Sequence, residues 1–228
     1  MRTQTKDIQT SLTPERAFQI LKDGNQRFIS NLRYNRNLLQ QVNETSDSQH
    51  PFAIVLSCID SRTSAELIFD QGLGDIFSAR VAGNVLNEDV LGSMEFACHV
   101  AGAKLIVVLG HTRCGAVKGA CSHVQLGHLT GLLNKISPAV YSVEHAGEVP
   151  VGSDGFIEAV AVENTRQQMR AILERSPIIE HLFDKGQVGI VGGIYSVETG
   201  EVEFFDQQFH VAAGAAERPA ADRLAVAG

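Results

Sequence analysis

At 228 residues and 44% hydrophobic content the chain is long enough to build one α/β core, and no linker-like stretch divides it, so a single domain over residues 1–228 is expected. A net charge of −7 with scattered basic residues leaves no electrostatic footprint for nucleic acid, and no apolar run reaches the length of a membrane span. The amino terminus lacks the apolar stretch of a secretory leader and the four cysteines form no disulfide pattern, so a cytoplasmic protein with reduced thiols is expected.

Residues 1–11 are polar and are expected to stay loose until docked. Thr13-Pro14 supplies an N-cap and a proline at the first helical position. Ala17, Ile20, Leu21 and Phe28 then share one helical face, which Gly24-Asn25 is expected to interrupt. The polar, Asn/Gln-rich run from Ser30 to Gln49 reads as a loop or short helix. Residues 1–50 together make an N-terminal arm that wraps the body or a partner subunit.

The apolar, β-branched run 52–57 reads as a buried parallel strand and is closed by Cys58-Ile59-Asp60-Ser61-Arg62. A short helical segment near Ser64–Phe69 and a strand over Asp75–Val81 follow, and Gly83-Asn84 marks a turn. Residues 88–101 read as one helix burying Val90, Leu91, Met94, Cys98 and Ala101, which makes Cys98 a core residue and leaves His99 on the surface. A second buried strand, 104–109, leads into His111-Thr112-Arg113-Cys114. The small residues of 114–121 suit a closely packed helix. Residues 128–145 are weakly helical, 148–155 form a Pro/Gly-containing connection, and 156–175 carry the longest helical pattern, broken at Ser176-Pro177. A glycine-rich strand over 187–197 turns through 198–200 into 201–205, a hairpin at the sheet edge. The Ala-rich stretch 212–228 has no core to join and reads as a disordered tail. These elements give an α/β fold: a mainly parallel central sheet, flanking helices, a C-terminal antiparallel edge hairpin and an N-terminal helical arm.

In an open α/β sheet the site lies beyond the carboxyl ends of the strands, so two adjacent strands bring Cys58, His111 and Cys114 to one point. Two thiolates and an imidazole suit zinc, and three protein ligands leave a fourth position free, as catalytic sites require. The H-x-x-C spacing alone fits two core cysteines and a capped histidine equally well. Asp60 and Arg62 beside one cysteine, and a glycine after the other, favour chemistry.

Thr13-Pro14-Glu15, Gly24-Asn25-Gln26-Arg27-Phe28, C-x-D-S-R at 58–62, H-x-x-C-G at 111–115 and the glycine-rich strand near 190 together resemble the β-class carbonic anhydrases. The resemblance implies one Zn2+ per chain on Cys58, His111 and Cys114, and hydration of carbon dioxide to bicarbonate and a proton by zinc-bound hydroxide beside an Asp60/Arg62 dyad. It implies that Gln49 hydrogen-bonds the product oxygen, that Phe77 and Phe96 wall the substrate pocket, and that Gly115 offers it a backbone N–H. It further implies a dimer or tetramer with the cleft at the interface and the N-terminal helix laid over the neighbour. Phe96 stands where the family often has tyrosine, and Thr63-Ser64 where it usually has Val-Pro, which leaves the rigidity of that loop open. In one branch the aspartate closes the site as a fourth ligand, and bicarbonate inhibits through a separate site that uses a tryptophan; this chain has no tryptophan and carries Gln49, which favours the open branch. Two alternatives stand beside this reading: hydrolysis of carbon disulfide or carbonyl sulfide on the same scaffold, and a closed, purely structural zinc site.

Overall fold

Residues 3–208 are described by the computed structural model, and the tail expected over 212–228 lies outside the described residues. One sheet is formed by β1 (Ala53–Ser57), β2 (Ile76–Arg80), β3 (Leu105–His111), β4 (Gly189–Tyr195) and β5 (Val202–Gln208), in the spatial order β2-β1-β3-β4-β5. The first four strands run parallel and β5 pairs antiparallel with β4 at one edge. Every residue of β1 and β3 is buried, as parallel strands covered on both faces require, and this is why both read as unbroken apolar runs.

Side-chain alternation divides the core. Ile54 and Leu56 face one layer with Met94, Ile106, Val108, Ile172 and Ile190. Ala53 and Val55 face the other, with Ala17, Leu21, Phe52, Phe69 and Val107. A third cluster of Val85, Val117, Ile136, Val140, Phe156 and Val160 packs around Cys58 and Cys114.

The helices sharpen the sequence reading and correct it in two places, at Gly24-Asn25 and over 88–101. Residues 3–11 are docked on the body: α1 (Lys6–Ser11) is capped by Thr5, and buried Gln9 donates to the carbonyls of Pro51 and Ala101 at 2.7 and 2.8 Å. Gly24-Asn25 does not interrupt α2 (Pro14–Ile29), which starts at the expected Thr13 cap. A Cβ at Gly24 would lie 1.8 Å from the Phe69 carbonyl oxygen, so the glycine permits close packing. Asn25 donates to Ile68 O and Gly200 O and accepts from Val202 N, tying the helix to two loops. The apolar face of α2 is covered by its own sheet through Ala17, Phe18 and Leu21. The helix expected over 88–101 is α-helical only to Glu95 and ends in a π-helical turn, Phe96–Val100.

The remaining helices follow the sequence closely. Leu38–Glu44 is α3, Ala65–Ile68 α4, Glu88–Glu95 α5, Gly115–Cys121 α6, Gly127–Leu133 α7, Ser137–Ala146 α8 and Asp154–Arg175 α9. Ser176-Pro177 ends α9 but also begins a helix that its reading as a breaker passed over, α10 (Pro177–Asp184): the Ser176 hydroxyl caps Ile179 N and the proline sits in the first turn. Among the described residues no helix is long and apolar enough to cross a membrane.

β1 is flanked by β2 on one side and β3 on the other, so the chain reverses its direction of travel across the sheet between β1 and β3. Ligands settle in the crevice at such a switch point. Register pairs Ser57, the last residue of β1, with Leu109, so β3 runs two residues further and ends on His111 just beyond the level of Cys58.

Candidate metal centre

Cys58 follows β1, His111 ends β3, and Cys114 is the residue on which α6 begins. Their ligand atoms all lie within 4.8 Å of one another, and the three residues are 4%, 1% and 2% exposed. The loop between the last two is fastened at each step. Thr112 N donates to Tyr195 O at 2.9 Å and its hydroxyl accepts from Val197 N at 3.1 Å. Arg113, at φ 56°, donates its backbone N–H to Glu158 at 2.9 Å and pairs through its guanidinium with Glu198.

Two thiols and one imidazole at this separation do not satisfy one another. Cys58 is the thiolate of the pair, held down to about 4, chiefly by a hydrogen bond from Cys114, against burial, with help from the N–H groups of Gly83 and Asp60. The Gly83 N–H lies 3.3 Å from Cys58 Sγ. Cys114 is pushed far above the ordinary thiol range by that same bond, by burial and by the charge on Cys58. His111 Nδ1 lies 2.9 Å from the Thr112 carbonyl, so it carries the ring proton, while Nε2 is buried with no hydrogen-bond partner. A buried nitrogen lone pair beside one thiolate and one frustrated thiol fits a divalent cation, which removes the thiol proton and takes all three donors. Zinc matches this donor set.

Asp60 stands on the same loop but outside the ligand cluster. Its Oδ1 accepts from Arg62 N at 3.0 Å and Arg62 Nε at 2.9 Å, and its Oδ2 from Arg62 Nη2 at 2.8 Å. The bidentate Arg62 fork, against a smaller effect of burial, holds the carboxyl well below the usual carboxylate range. It is ionised and fixed.

Of the other expected site residues, Gly115 stays beside the ligands, while Phe77, Phe96 and Gln49 fall elsewhere on this chain. Phe77 and Phe96 meet edge to face at 6.3 Å and line a hollow of about 730 Å³ with Ile54, Ala79, Glu88 and Asp89, away from the three ligands. Gln49 is exposed beside Val42, Thr45 and Leu73 in a separate surface hollow. Gly115 opens α6 next to Cys114, and a Cβ there would meet nothing within 4 Å, so packing does not demand the glycine. Cys98 is core, as read, and burial pushes its thiol up to about 12. Gly83 was legible only as a turn. Its φ is 68° and a Cβ would come 2.6 Å from Ile136 Cδ1, so glycine is required, and Asn164 holds its carbonyl at 2.9 Å while its N–H meets the thiolate.

A family model described as carbonic anhydrase matches residues 53–202. The carbonic anhydrase of Mycolicibacterium smegmatis is 39% identical over 197 residues, 83% of this chain and 92% of that one. The solved β-carbonic anhydrase CcaA superposes with a TM-score of 0.67 at 29% identity, covering 83% of this chain and 95% of its own. The tetrameric β-carbonic anhydrases of Sordaria macrospora share the fold, with a TM-score of 0.66 at 20% identity over 72% of this chain and 89% of that chain. A Cys-His-Cys cluster at the switch point of a parallel sheet, a family model covering most of that sheet, and 39% identity to a carbonic anhydrase along nearly its whole length place this chain in the β-class carbonic anhydrase family.

Proposed function

We propose that this protein catalyses the reversible hydration of carbon dioxide to bicarbonate and a proton, with one zinc ion held by Cys58, His111 and Cys114. The observation that carries this reading is the separation of roles on one loop: three buried donors lie within 4.8 Å of one another, while Asp60 is engaged by Arg62 and leaves the fourth position to a small molecule. A purely structural site has no use for an ionised carboxylate held fixed beside it. Zinc bound by this set would act as a Lewis acid and would lower the pKa of water far enough to make a nucleophile available near neutral pH.

The chain's own residues do the rest. Because two cysteines balance the charge of a divalent ion, much of the work of orienting the nucleophile falls on Asp60. Its carboxylate accepts the hydrogen bond of the attacking O–H and points the oxygen lone pair at the carbon, while Arg62 keeps it charged and stationary. The N–H of Gly83 draws charge from Cys58 Sγ, and the Thr112 carbonyl fixes the tautomer of His111. Gly115, at the start of α6, is placed to give a backbone N–H to developing negative charge.

Phe77, Phe96 and Gln49 take their expected roles as pocket wall and product hydrogen-bond donor through self-association, from a second copy of the chain. Support comes from their distance from the ligands on one chain and from the apolar surface that chain leaves bare, with Phe96 at 51% and Val100 at 68% exposure. The Sordaria relatives are tetramers, and a dimer or a tetramer would each supply the contact. Reduced thiols as ligands suit a cytoplasmic setting. Parallel assays of the zinc-loaded protein on carbon dioxide, carbonyl sulfide and carbon disulfide test the substrate, with rapid turnover of the first alone as the expected result.

A further inference from the structure

The loop that carries Cys58 and Asp60 and runs on through Thr63-Ser64 contains no proline to fix its backbone. Other groups hold it. Register places Arg80, the last residue of β2, opposite Ser57. From there Arg80 Nε donates to the carbonyl of Cys58 at 3.0 Å, and Nη2 donates to the carbonyl of Asp60 at 2.6 Å and to Thr63 Oγ1 at 3.4 Å. Thr63 is 1% exposed, and its hydroxyl lies 3.0 Å from Cys58 O and 2.9 Å from Asp60 O and shares its one proton between them. Thr63 N–H closes on the Asp60 carbonyl at 3.0 Å. The same two carbonyls are therefore gripped twice, by a guanidinium fork at the sheet edge and by a hydroxyl inside the loop.

We propose that Arg80 and Thr63 are positioning residues, a clamp that fixes Cys58 Sγ and the Asp60 carboxylate relative to each other. The two gripped carbonyls belong to the residues whose side chains do the chemistry, so a peptide rotation that frees either one swings the sulfur or the carboxylate with it. Arg80 is not an ion-pair partner of the dyad: Arg62 occupies the Asp60 carboxylate, and the bonds from Arg80 go to carbonyls and a hydroxyl. Geometry is what matters, because a planar fork reaches both carbonyls and a lysine ammonium, a point charge, does not.

The clamp rests on the carbonic anhydrase reading for its effect on turnover, while its effect on metal is independent of that reading. The test compares Arg80→Met, Arg80→Lys and Thr63→Val with the native chain, each loaded with zinc for chelator competition and hydration kinetics, and with Co(II) for its visible spectrum. Arg80→Met is expected to yield its metal to a chelator more readily than the native chain and to turn over about 10–100-fold less well, the usual cost of losing an outer-shell partner. The loss is expected in kcat with KM unchanged, together with an altered cobalt band. Arg80→Lys should recover only part of this, and Thr63→Val should move the same readouts by less. If Arg80→Met fails to fold, the other two variants carry the test. Native metal retention and a native cobalt spectrum in the folded Arg80 variants and in Thr63→Val overturn the clamp, whatever happens to Tm. A native chain that hydrates no carbon dioxide while these variants still loosen cobalt would overturn the carbonic anhydrase reading and leave the clamp standing.

Discussion

The Nδ1 of His111 lies 2.9 Å from the carbonyl of its neighbour Thr112, which fixes the ring proton on that nitrogen and leaves the buried Nε2 a bare lone pair. With Cys58 and Cys114 alongside, the chain is expected to bind about one zinc ion, and Cys58→Ser is expected to lose it. Metal analysis after dialysis against a chelator decides the point. Full zinc occupancy in Cys58→Ser would show that the ligand set is wrong.

Asp60→Asn keeps the shape of the side chain and loses the charge that accepts a nucleophile's hydrogen bond and engages Arg62 in a fork. Hydration is expected to fall by roughly 10²–10⁴-fold while zinc content stays near native. X-ray absorption below neutral pH is expected to show no carboxylate on the metal of the native enzyme. Loss of zinc in Asp60→Asn, or a carboxylate oxygen in that shell, would make Asp60 a resting fourth ligand.

Gly24 lies in the middle of α2, where alanine is ordinarily the better helix former by about 1 kcal/mol. Here a Cβ would lie 1.8 Å from the Phe69 carbonyl oxygen, and backbone cannot step aside as a side chain can. Gly24→Ala is expected to destabilise the fold by about 1–3 kcal/mol, the usual cost of overpacking, and to shift the urea midpoint down. A neutral or stabilising effect would mean that α2 is not seated as described.

Asp75, just before β2, is buried, and burial raises its carboxyl above the ordinary range, against the Gly72 N–H at 2.7 Å and the charge of Arg36. The sign follows. A carboxyl whose folded pKa exceeds its unfolded one contributes fully below the unfolded value of about 4 and loses that contribution as pH rises through the folded value. Asn keeps an acceptor for Gly72 N–H and never ionises, so Asp75→Asn is expected to raise Tm at neutral pH, with the gap closing toward pH of about 4. An equal gap at both pH values, or none at neutrality, would contradict the assignment.

What the sequence made legible and what it hid have physical causes. The ligands and dyad could be read because reactive residues directly follow two buried apolar runs, and strand ends are where such a sheet holds its site. Gly24 and Asn25 were misread as a break because what they meet, the carbonyl of Phe69 and the turn at Gly200, is far away in the chain. The π-helical turn at Phe96–Val100 leaves no mark on a pattern sampled at helical spacing. Arg80 was invisible as a clamp because only register pairs it with Ser57 and brings its fork to the carbonyls of Cys58 and Asp60. Phe77, Phe96 and Gln49 entered by resemblance alone, and no local pattern could have told which surface they serve.

Stopped-flow hydration of carbon dioxide, with zinc determined on the same sample, is the most direct test of a hydrating centre at Cys58, His111 and Cys114. Activity is expected to scale with zinc content, to vanish when the metal is stripped, to return when zinc is restored, and to be lost with the metal in Cys58→Ser. A protein that holds one zinc per chain on these three residues and leaves the hydration rate at its uncatalysed value would contradict it.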